Sequence, residues 1–276
     1  MAKIKIIASD LDGTLLKDDM TVSRENWEAV RRMTEAGVLF VPASGRAVLE
    51  MPRAIVESPY VRYLIHSDGS AVYDKETGRS IRLAMTPEQS RRMMAVLSEY
   101  KVDISVRHHG HCYVDPKKHT REYHYAHRMS DYWVDFVMEY FEPLEDFDRA
   151  TDFEDGIDMV CVFFQSAEER EECRRRFLEM GGYGISGSDP ANLEIYDERA
   201  GKGSALLALA EELGIDRSET LSVGDSPNDL DMIRKAGIGL AVSNACDALK
   251  AEATTVICSN EEHAMEYIEK NYCIEG

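Results

Sequence analysis

Long hydrophobic runs are missing from this chain. No apolar stretch approaches the roughly 20 residues that a membrane-spanning helix requires. The N-terminal segment also lacks the charged region, apolar stretch and small-residue cleavage site of a signal peptide. We therefore expect a cytoplasmic protein.

Positive charge is scarce as well. The 276 residues include 51 Asp and Glu against 32 Lys and Arg, which gives a formal net charge of −19. Because nucleic acids and anionic membranes both bind basic surfaces, this balance argues against nucleic acid and against a membrane as a main partner. An acidic protein that handles an anionic substrate needs local positive charge, from a metal ion or from a suitably placed lysine.

Paired cysteine motifs are also absent. The chain has six cysteines, and no two of them form a CxxC pair. Zinc knuckles and disulfide frameworks depend on characteristic cysteine spacings that this chain does not have. We therefore predict reduced cysteines that mostly pack against other side chains: Cys112, Cys161, Cys173, Cys246, Cys258 and Cys273.

The chain does contain a regular alternation of strand and helix patterns. An apolar strand over residues 4–9 precedes a helical pattern from Ser23 to Ala36, and further buried strands begin at Val38 and Tyr63. The C-terminal third repeats this rhythm. Strands that alternate with helices indicate the α/β class, with a Rossmann-like, doubly wound parallel sheet as the core.

The middle third of the chain follows a different pattern. Thr86 and Gln89 form a capping box at the start of a predicted helix, and the alternation around Gly110 predicts a hairpin. A second capping box, from Ser166 to Glu169, opens another helix. We therefore predict an inserted α+β domain between two parts of the core, with the boundaries 1–83 (core), 84–197 (insertion) and 198–276 (core).

Polar residues follow the ends of several strands in the predicted core. They are Asp10 and Asp12 after the first strand, Ser44, Gly45 and Arg46 after the second, and Asp225, Asn228 and Asp229 after a later one. Lys202 stands at the N-terminal end of a helix. Because ligands of open α/β sheets bind beyond the carboxyl ends of the strands, we expect these side chains to converge there.

The three carboxylates Asp10, Asp12 and Asp225 would repel one another without a cation. Mg²⁺ is the natural choice, because it takes carboxylate oxygens together with substrate phosphate oxygens as ligands. Ser44 and backbone N–H groups around Gly45 can hold phosphate oxygens, and a lysine can neutralise charge on the transferring group. A nucleotide-binding P-loop at Lys202 is excluded, because the motif's first glycine and its final Ser or Thr are missing.

Four motifs make the sequence similar to the haloacid dehalogenase-like superfamily, and within it to the Cof-type sugar phosphatases with a type IIB cap. The stretch "DLDGTLL" resembles the first motif, "ASGR" the second, "GKGSAL" the third and "GDSPNDLDM" the fourth. The motifs stand in the family's order, and the resemblance covers nearly the whole chain. It implies that the inserted α+β domain is a cap.

The resemblance also implies roles for the matching residues. Asp10 would attack phosphorus and form an aspartyl-phosphate, while Asp12 would protonate the leaving alkoxide and then deprotonate the attacking water. Mg²⁺ would be held by the Asp10 side chain, the Asp12 backbone carbonyl and Asp225, with Asp229 in support. The implied phosphate and substrate contacts are Ser44, Gly45, Arg46, Lys202 and Asn228, of which Ser44 and Lys202 also count as catalytic, and Thr14 would orient the Asp12 loop.

Some assignments stay open. Arg46 could make a substrate contact or a structural salt bridge. Ser67-Asp68-Gly69 replaces the Asn-Gly that the family usually has after the third strand, which leaves one substrate contact open. The histidines between His108 and His127 are unfavourably arranged for zinc, since neighbouring residues of a hairpin point to opposite faces.

The resemblance implies a Mg²⁺-dependent phosphatase of small phosphorylated metabolites, with sugar phosphates ahead of other substrates. An acid and base carboxylate at Asp12 favours rapid phosphoester turnover. It also argues against a true dehalogenase, because such enzymes lack an aspartate at this position. Two alternatives remain: a sugar phosphomutase with the same core, and a non-hydrolytic regulator that binds a phosphorylated metabolite. A monomer and a dimer are both compatible with the sequence.

Overall fold

The computed structural model describes residues 3–187 and 189–273. The strands are β1 (Ile6–Asp10), β2 (Leu39–Ala43), β3 (Tyr63–His66), β4 (Ala71–Asp74), β5 (Ser80–Arg82), β6 (Val102–His108), β7 (His111–Val114), β8 (Glu142–Pro143), β9 (Met159–Phe164), β10 (Tyr183–Ser186), β11 (Asn192–Asp197), β12 (Thr220–Gly224), β13 (Ile238–Ala241) and β14 (Thr255–Val256). The α-helices are α1 (Arg24–Glu35), α2 (Arg53–Val56), α3 (Pro87–Leu97), α4 (Arg121–Ala126), α5 (Asp131–Tyr140), α6 (Ala167–Met180), α7 (Lys202–Glu212), α8 (Leu230–Lys235), α9 (Asp247–Glu252) and α10 (Ala264–Ile268). Among the described residues, no helix combines the length and the apolar character needed to cross a membrane.

Contacts divide the described chain into two compact units. The first consists of residues 3–44, 51–81 and 201–273, and the second of residues 45–50, 82–187 and 189–200. Residues 45–50 group with the second unit because the Leu49 N–H donates to the Gly110 carbonyl (3.4 Å) and Glu50 pairs with Arg107 (2.9 Å). The predicted domain boundaries, which kept residues 45–50 with the core, stay a prediction.

The larger sheet has the strand order β14-β13-β12-β1-β2-β3-β4-β5. Neighbouring strands from β14 to β3 run parallel, and β4 returns antiparallel to β3. β1 is buried along its whole length, as expected for a parallel strand that is covered on both faces. The predicted α/β class with a parallel core sheet is therefore confirmed, and the antiparallel edge is an addition to it.

Apolar side chains of this sheet pack against helices of the same unit. Ile6 and Val41 share one buried cluster with Leu206 and Leu209 of α7 and with Met232 of α8. Helices α7 and α8 are thereby held beside β1 and β2. Because α7 begins at Lys202 and Asp229 directly precedes α8, this packing also fixes the polar residues at the strand ends.

The second unit is built on a six-stranded sheet in the order β10-β11-β9-β6-β7-β8. Its neighbouring strands are antiparallel apart from the short β7–β8 pair. Val102 and Val106 of β6 pack with Met93 of α3 and Phe177 of α6. The second sheet and its helices agree with the predicted α+β character of the middle third.

Local signals in this unit are reproduced with one exception. The hairpin turns at His109 and Gly110, which both have positive φ (51° and 79°), as a two-residue type I′ turn requires. The capping box at Thr86 is complete. At the start of α6, Ser166 accepts from the Glu169 N–H as predicted, but the structure gives no reciprocal bond from the Glu169 side chain.

Candidate active site

Asp10 and Lys202 form the buried centre of a polar site in the first unit. Asp10 is the last residue of β1 and is 4% exposed, and Lys202 opens α7 and is 1% exposed. The Lys202 Nζ lies 2.7 Å from Asp10 Oδ1 and 2.7 Å from Asp229 Oδ1. The structure thus brings together residues from three of the four motifs.

Asp229 holds the loop that follows β12. Its Oδ2 accepts from the backbone N–H groups of Asp225 and Ser226, each at 3.0 Å, while its Oδ1 accepts from Lys202. Both oxygens of this fully buried carboxylate therefore have donors within the protein. This geometry suits a residue that positions Lys202 and Asp225, and the metal-ligand role expected for Asp229 stays a prediction.

Asp225 lies next to the turn that follows β1. The Thr14 hydroxyl donates to Asp225 Oδ1 (3.1 Å) and the Ser226 hydroxyl donates to Asp225 Oδ2 (3.0 Å). Gly13 has φ +78°, and a Cβ on it would lie 2.7 Å from Asp225 Oδ2. Only glycine both adopts this backbone conformation readily and leaves room for the carboxylate.

Negative charge accumulates at this site. Burial, together with the charge of Asp229, raises the pKa of Asp10 well above its ordinary value, against the lowering effect of Lys202, and Asp225 and Asp12 raise it further. Burial and the charge of Asp229 also raise the pKa of Asp225. Although burial opposes it, the charges of Asp10 and Asp229 raise the pKa of Lys202, which keeps the ammonium form.

The carboxylates have the arrangement of a cation site. One oxygen from each of Asp10, Asp225 and Asp229 can be chosen so that all three lie within 4.8 Å of one another. Hard oxygen donors of this kind are what Mg²⁺ takes as ligands, and a divalent cation would relieve the repulsion that raises the pKa of Asp10 and of Asp225. The residues present are therefore compatible with a divalent cation.

Asp12 lies in the turn after β1, where it is half-buried and forms an isolated bridge with Leu16. Its charge contributes to the raised pKa of Asp10, so the two carboxylates are near neighbours. Asp12 thus lies beside the buried centre, as expected. Its acid and base role stays a prediction.

Ser44 and Asn228 are linked through a residue that the sequence analysis did not place in the site. Asn228 Nδ2 donates to Asp68 Oδ1 (3.0 Å), and the Asp68 N–H donates to the Ser44 carbonyl (3.2 Å). Ser44 and Asp68 are both buried. The departure at Ser67-Asp68-Gly69 from the family pattern was the signal that could have identified Asp68.

Asp231 is a second residue that the sequence analysis missed. Its Oδ2 accepts from the N–H groups of Gly203 and Ser204, each at 3.0 Å, and so satisfies two donors in the first turn of α7. Because Lys202 precedes these residues directly, Asp231 helps to fix the direction in which the lysine leaves the helix. An aspartate two residues after Asp229 in the fourth motif was the available signal.

Gly45 and Arg46 belong to the second unit. Arg46 donates from Nη1 to the Glu50 carbonyl (3.2 Å) and from Nη2 to the Tyr132 hydroxyl (3.1 Å). Its guanidinium carbon also lies 5.5 Å from the centre of the Phe136 ring. These contacts hold Arg46 within its own unit, and the expected substrate contacts of Gly45 and Arg46 stay predictions.

The histidine-rich hairpin of the second unit forms a separate charged cluster. His108, His109 and Asp155 offer ligand atoms within 4.8 Å of one another. However, the Arg82 guanidinium pairs with Asp155 and, at 2.8 Å, with the fully buried Asp158. A cationic side chain therefore already pairs with both carboxylates, and the expectation that the histidines do not bind zinc stays a prediction.

Comparisons with known proteins give a consistent result. A sequence model of one family, described as haloacid dehalogenase-like hydrolase, matches residues 7–268. The 5-amino-6-(5-phospho-D-ribitylamino)uracil phosphatase YwtE of Bacillus subtilis (strain 168) is 27% identical to this chain over 277 residues, which cover 96% of each protein.

Solved structures resemble the chain over nearly its full length. A haloacid dehalogenase-like hydrolase from B. subtilis superimposes with a TM-score of 0.80 at 27% identity, over 97% of this chain and 99% of that one. The subclass IIB sugar phosphatase BT4131 superimposes with a TM-score of 0.80 at 20% identity, over 98% of this chain and 100% of that one. At 20% identity, the likeness to BT4131 supports the fold alone.

Proposed function

Because this chain belongs to the haloacid dehalogenase-like hydrolase family and is a phosphoric monoester hydrolase, we propose that it dephosphorylates sugar phosphates or closely similar polyol phosphates with the help of Mg²⁺. The observation that carries the proposal is the Lys202 ammonium, which lies 2.7 Å from both Asp10 and Asp229 in a buried cluster with an excess of carboxylates. Such a cluster suits the joint binding of a divalent cation and the anionic phosphoryl group of a substrate.

The reaction begins with Asp10. One carboxylate oxygen of Asp10 attacks phosphorus, the ester P–O bond breaks, and an aspartyl-phosphate forms. Asp12 donates its proton to the departing alkoxide, so that a neutral alcohol leaves. In the second step Asp12 takes a proton from water, the water oxygen attacks phosphorus, and Asp10 is released together with inorganic phosphate.

Other side chains hold the phosphoryl group in place. The Lys202 ammonium lowers the electrostatic cost of bringing an anionic phosphate to the anionic Asp10. The Ser44 hydroxyl and the Asn228 amide donate to phosphate oxygens. Thr14 and Asp229 keep Asp225 and Lys202 in position through the hydrogen bonds described above.

Mg²⁺ would be held by the Asp10 side chain, the Asp12 backbone carbonyl and Asp225, with Asp229 in support. When bound, it neutralises negative charge on the phosphoryl oxygens and on the carboxylates. The raised pKa of Asp10 fits this assignment, since a neighbouring cation favours the ionised carboxylate that the attack requires.

The proposed substrate class follows from the alcohol part of the ester for which one relative is named. The YwtE relative is named for a phosphate ester of a ribityl chain, which is a sugar-derived polyol. We infer the same type of ester here, with a sugar or polyol as the alcohol product. The partner is thus a small phosphorylated metabolite, and the expected cytoplasmic location is where such metabolites occur.

The test is phosphate release from a panel of sugar phosphates, polyol phosphates and nucleotides, with and without Mg²⁺. The wild type should release phosphate from sugar or polyol phosphates only with Mg²⁺, and Asp10→Asn should release none. Phosphate transfer that depends on a bisphosphate activator would instead indicate a phosphomutase. Tight metabolite binding without release from any ester would indicate a regulator and contradict the proposal.

A further inference from the structure

Asp68 occupies a turn with an uncommon backbone. Ser67, Asp68 and Gly69 have φ of 50°, 51° and 82°, so that two consecutive residues other than glycine adopt the left-handed region. Such a backbone persists only where surrounding contacts determine it, and it is found preferentially at functional sites.

Contacts fix the turn from two sides. On one side, the Asp68 N–H donates to the Ser44 carbonyl (3.2 Å). On the other, a Cβ on Gly69 would lie 2.2 Å from the backbone carbon of Gly201, which directly precedes Lys202. The turn therefore lies between the loop of the second motif and the start of α7.

The Asp68 side chain reaches the fourth motif. Its Oδ1 accepts from Asn228 Nδ2 at 3.0 Å, and the side chain is 1% exposed. A carboxylate accepts but does not donate, so this contact requires the Nδ2 end of the Asn228 amide to face Asp68. The second Nδ2 hydrogen lies in the same amide plane and is thereby given a fixed direction.

Asp68 also adds charge to the site. Asp68 and Asp12 thus add their charges to those of Asp10, Asp225 and Asp229 around Lys202. A divalent cation offsets only two of the excess negative charges. A substrate that carries a further anionic group beside the transferring phosphate is therefore repelled more strongly than one with a neutral leaving group.

We propose that Asp68 is a positioning residue for the phosphate-binding amide of Asn228, and that its charge makes the site select phosphate esters of uncharged alcohols over esters with a second anionic group. This inference rests on the proposed function and names its substrate class more narrowly. Two properties of the Asp68 carboxylate have separate effects. The hydrogen-bond acceptor orients Asn228, and the charge selects the ligand.

The test uses calorimetric titration with two probes in the presence of Mg²⁺: inorganic phosphate, and phosphonoacetate, which adds a carboxylate beside the phosphonate. Asp68→Asn keeps the shape and an acceptor oxygen but removes the charge. We expect it to shift the ratio of the two affinities towards phosphonoacetate by about tenfold, the order of effect of a unit charge several ångströms away. A ratio within twofold of the wild type would overturn the selectivity claim.

Glu35→Gln is the matched control for charge. Glu35 pairs with Arg31 on the exposed surface of α1, and its substitution removes one negative charge from the same unit outside the site. We expect this variant to keep the wild-type ratio of affinities. A shift equal to that of Asp68→Asn would show that net charge alone acts, and would overturn the claim for Asp68.

The positioning claim is tested by a double-mutant cycle. Because Asp68→Ala removes a repelling charge in both backgrounds, the claim rests on the difference between them: the effect of Asp68→Ala on phosphate affinity should be at least fivefold less favourable in the wild-type background than in the Asn228→Ala background. Equal effects in both backgrounds would overturn it. If Asp68→Ala does not fold, Asp68→Asn decides: phosphate affinity equal to or above that of the wild type supports an acceptor role, and a lower affinity contradicts it.

A failure of the Asp68 inference can be distinguished from a failure of the proposed function. A wild type that releases and binds phosphate, with variants that change neither the ratio nor the cycle, contradicts the Asp68 inference alone. A wild type that neither releases phosphate from any ester nor binds phosphate contradicts the proposed function as well.

Discussion

Two charged clusters in this protein contain similar residues but differ in their balance of charge. In the first unit, Lys202 pairs with Asp10 and Asp229, Asp225 adds a third carboxylate close to theirs, and the pKa of both Asp10 and Asp225 is raised. The excess of carboxylates over cations therefore disfavours the ionised forms of Asp10 and Asp225, and a bound cation would favour them.

In the second unit, Arg82 lies among His108, His109, Asp155 and Asp158. Although burial opposes it, the hydrogen bond from His109 and the charge of Arg82 lower the pKa of Asp155. This cluster is closer to charge balance than the cluster of the first unit, because one guanidinium pairs with both of its carboxylates. An acidic cluster is thus informative about function when its own cations do not balance it.

The largest expected effect separates the two clusters by activity. Asp10→Asn should lower kcat by at least about a thousandfold, because an amide cannot form the aspartyl-phosphate. Asp155→Asn removes a carboxylate from the cluster of the second unit and should leave kcat within about twofold. Steady-state phosphate release from one sugar phosphate measures both. A similar loss in both variants would remove the distinction between the clusters.

The second effect concerns metal removal. A chelator should reduce phosphate release to less than about a hundredth, and added Mg²⁺ should restore it. Mg²⁺ should also raise the melting temperature of the enzyme, by about 2–4 °C for each kcal/mol that its binding adds to the free energy of unfolding, because it relieves the repulsion around Asp10. His109→Ala should show the same shift. Loss of the Mg²⁺-induced shift in His109→Ala would show that the cation binds in the second unit.

The third effect concerns stability. Arg82→Met should destabilise the protein by about 3–5 kcal/mol, because it leaves the buried Asp158 carboxylate without its cation. The double variant Arg82→Met with Asp158→Asn should recover part of this loss, since no buried charge is then unpaired. Urea unfolding followed by circular dichroism measures both. A cost below about 1 kcal/mol for the single variant would show that Arg82 does not balance the cluster.

The smallest effect concerns the side chains around Asp225. Thr14→Ala removes the hydroxyl that donates to Asp225 Oδ1 and should weaken the apparent Mg²⁺ affinity about tenfold. Thr14→Ser keeps the donor and should stay within about threefold of the wild type. The Mg²⁺ concentration that gives half-maximal activity is the readout. Equal affinities in all three proteins would assign Thr14 to folding alone.

Much of this arrangement could be predicted from the sequence because it follows local signals. Apolar runs that end on Asp10, Ala43 and Gly224 predict strands whose carboxyl ends meet, and parallel pairing then brings their loops together. The hairpin at Gly110 and the start of α3 follow from equally local turn and capping chemistry. These features depend on a few neighbouring residues.

Other features depend on contacts between distant segments and could not be predicted in this way. The position of Asp68 requires a left-handed turn that is held by Ser44 and Asn228, which lie 24 and 160 positions away along the chain. Arg46 stands in the second motif, yet its contacts with Tyr132 and Phe136 join it to the other unit. Sequence spacing carries no information about such long-range pairs.

The most direct test of the account is anomalous diffraction from crystals soaked with Mn²⁺, which can occupy Mg²⁺ sites and scatters anomalously. The account predicts a peak bounded by Asp10 and Asp225, and none at His108, His109 and Asp155. A peak at the histidine cluster, or the lack of any peak beside Asp10, would contradict the claim that the unbalanced carboxylates of the first unit form the cation site.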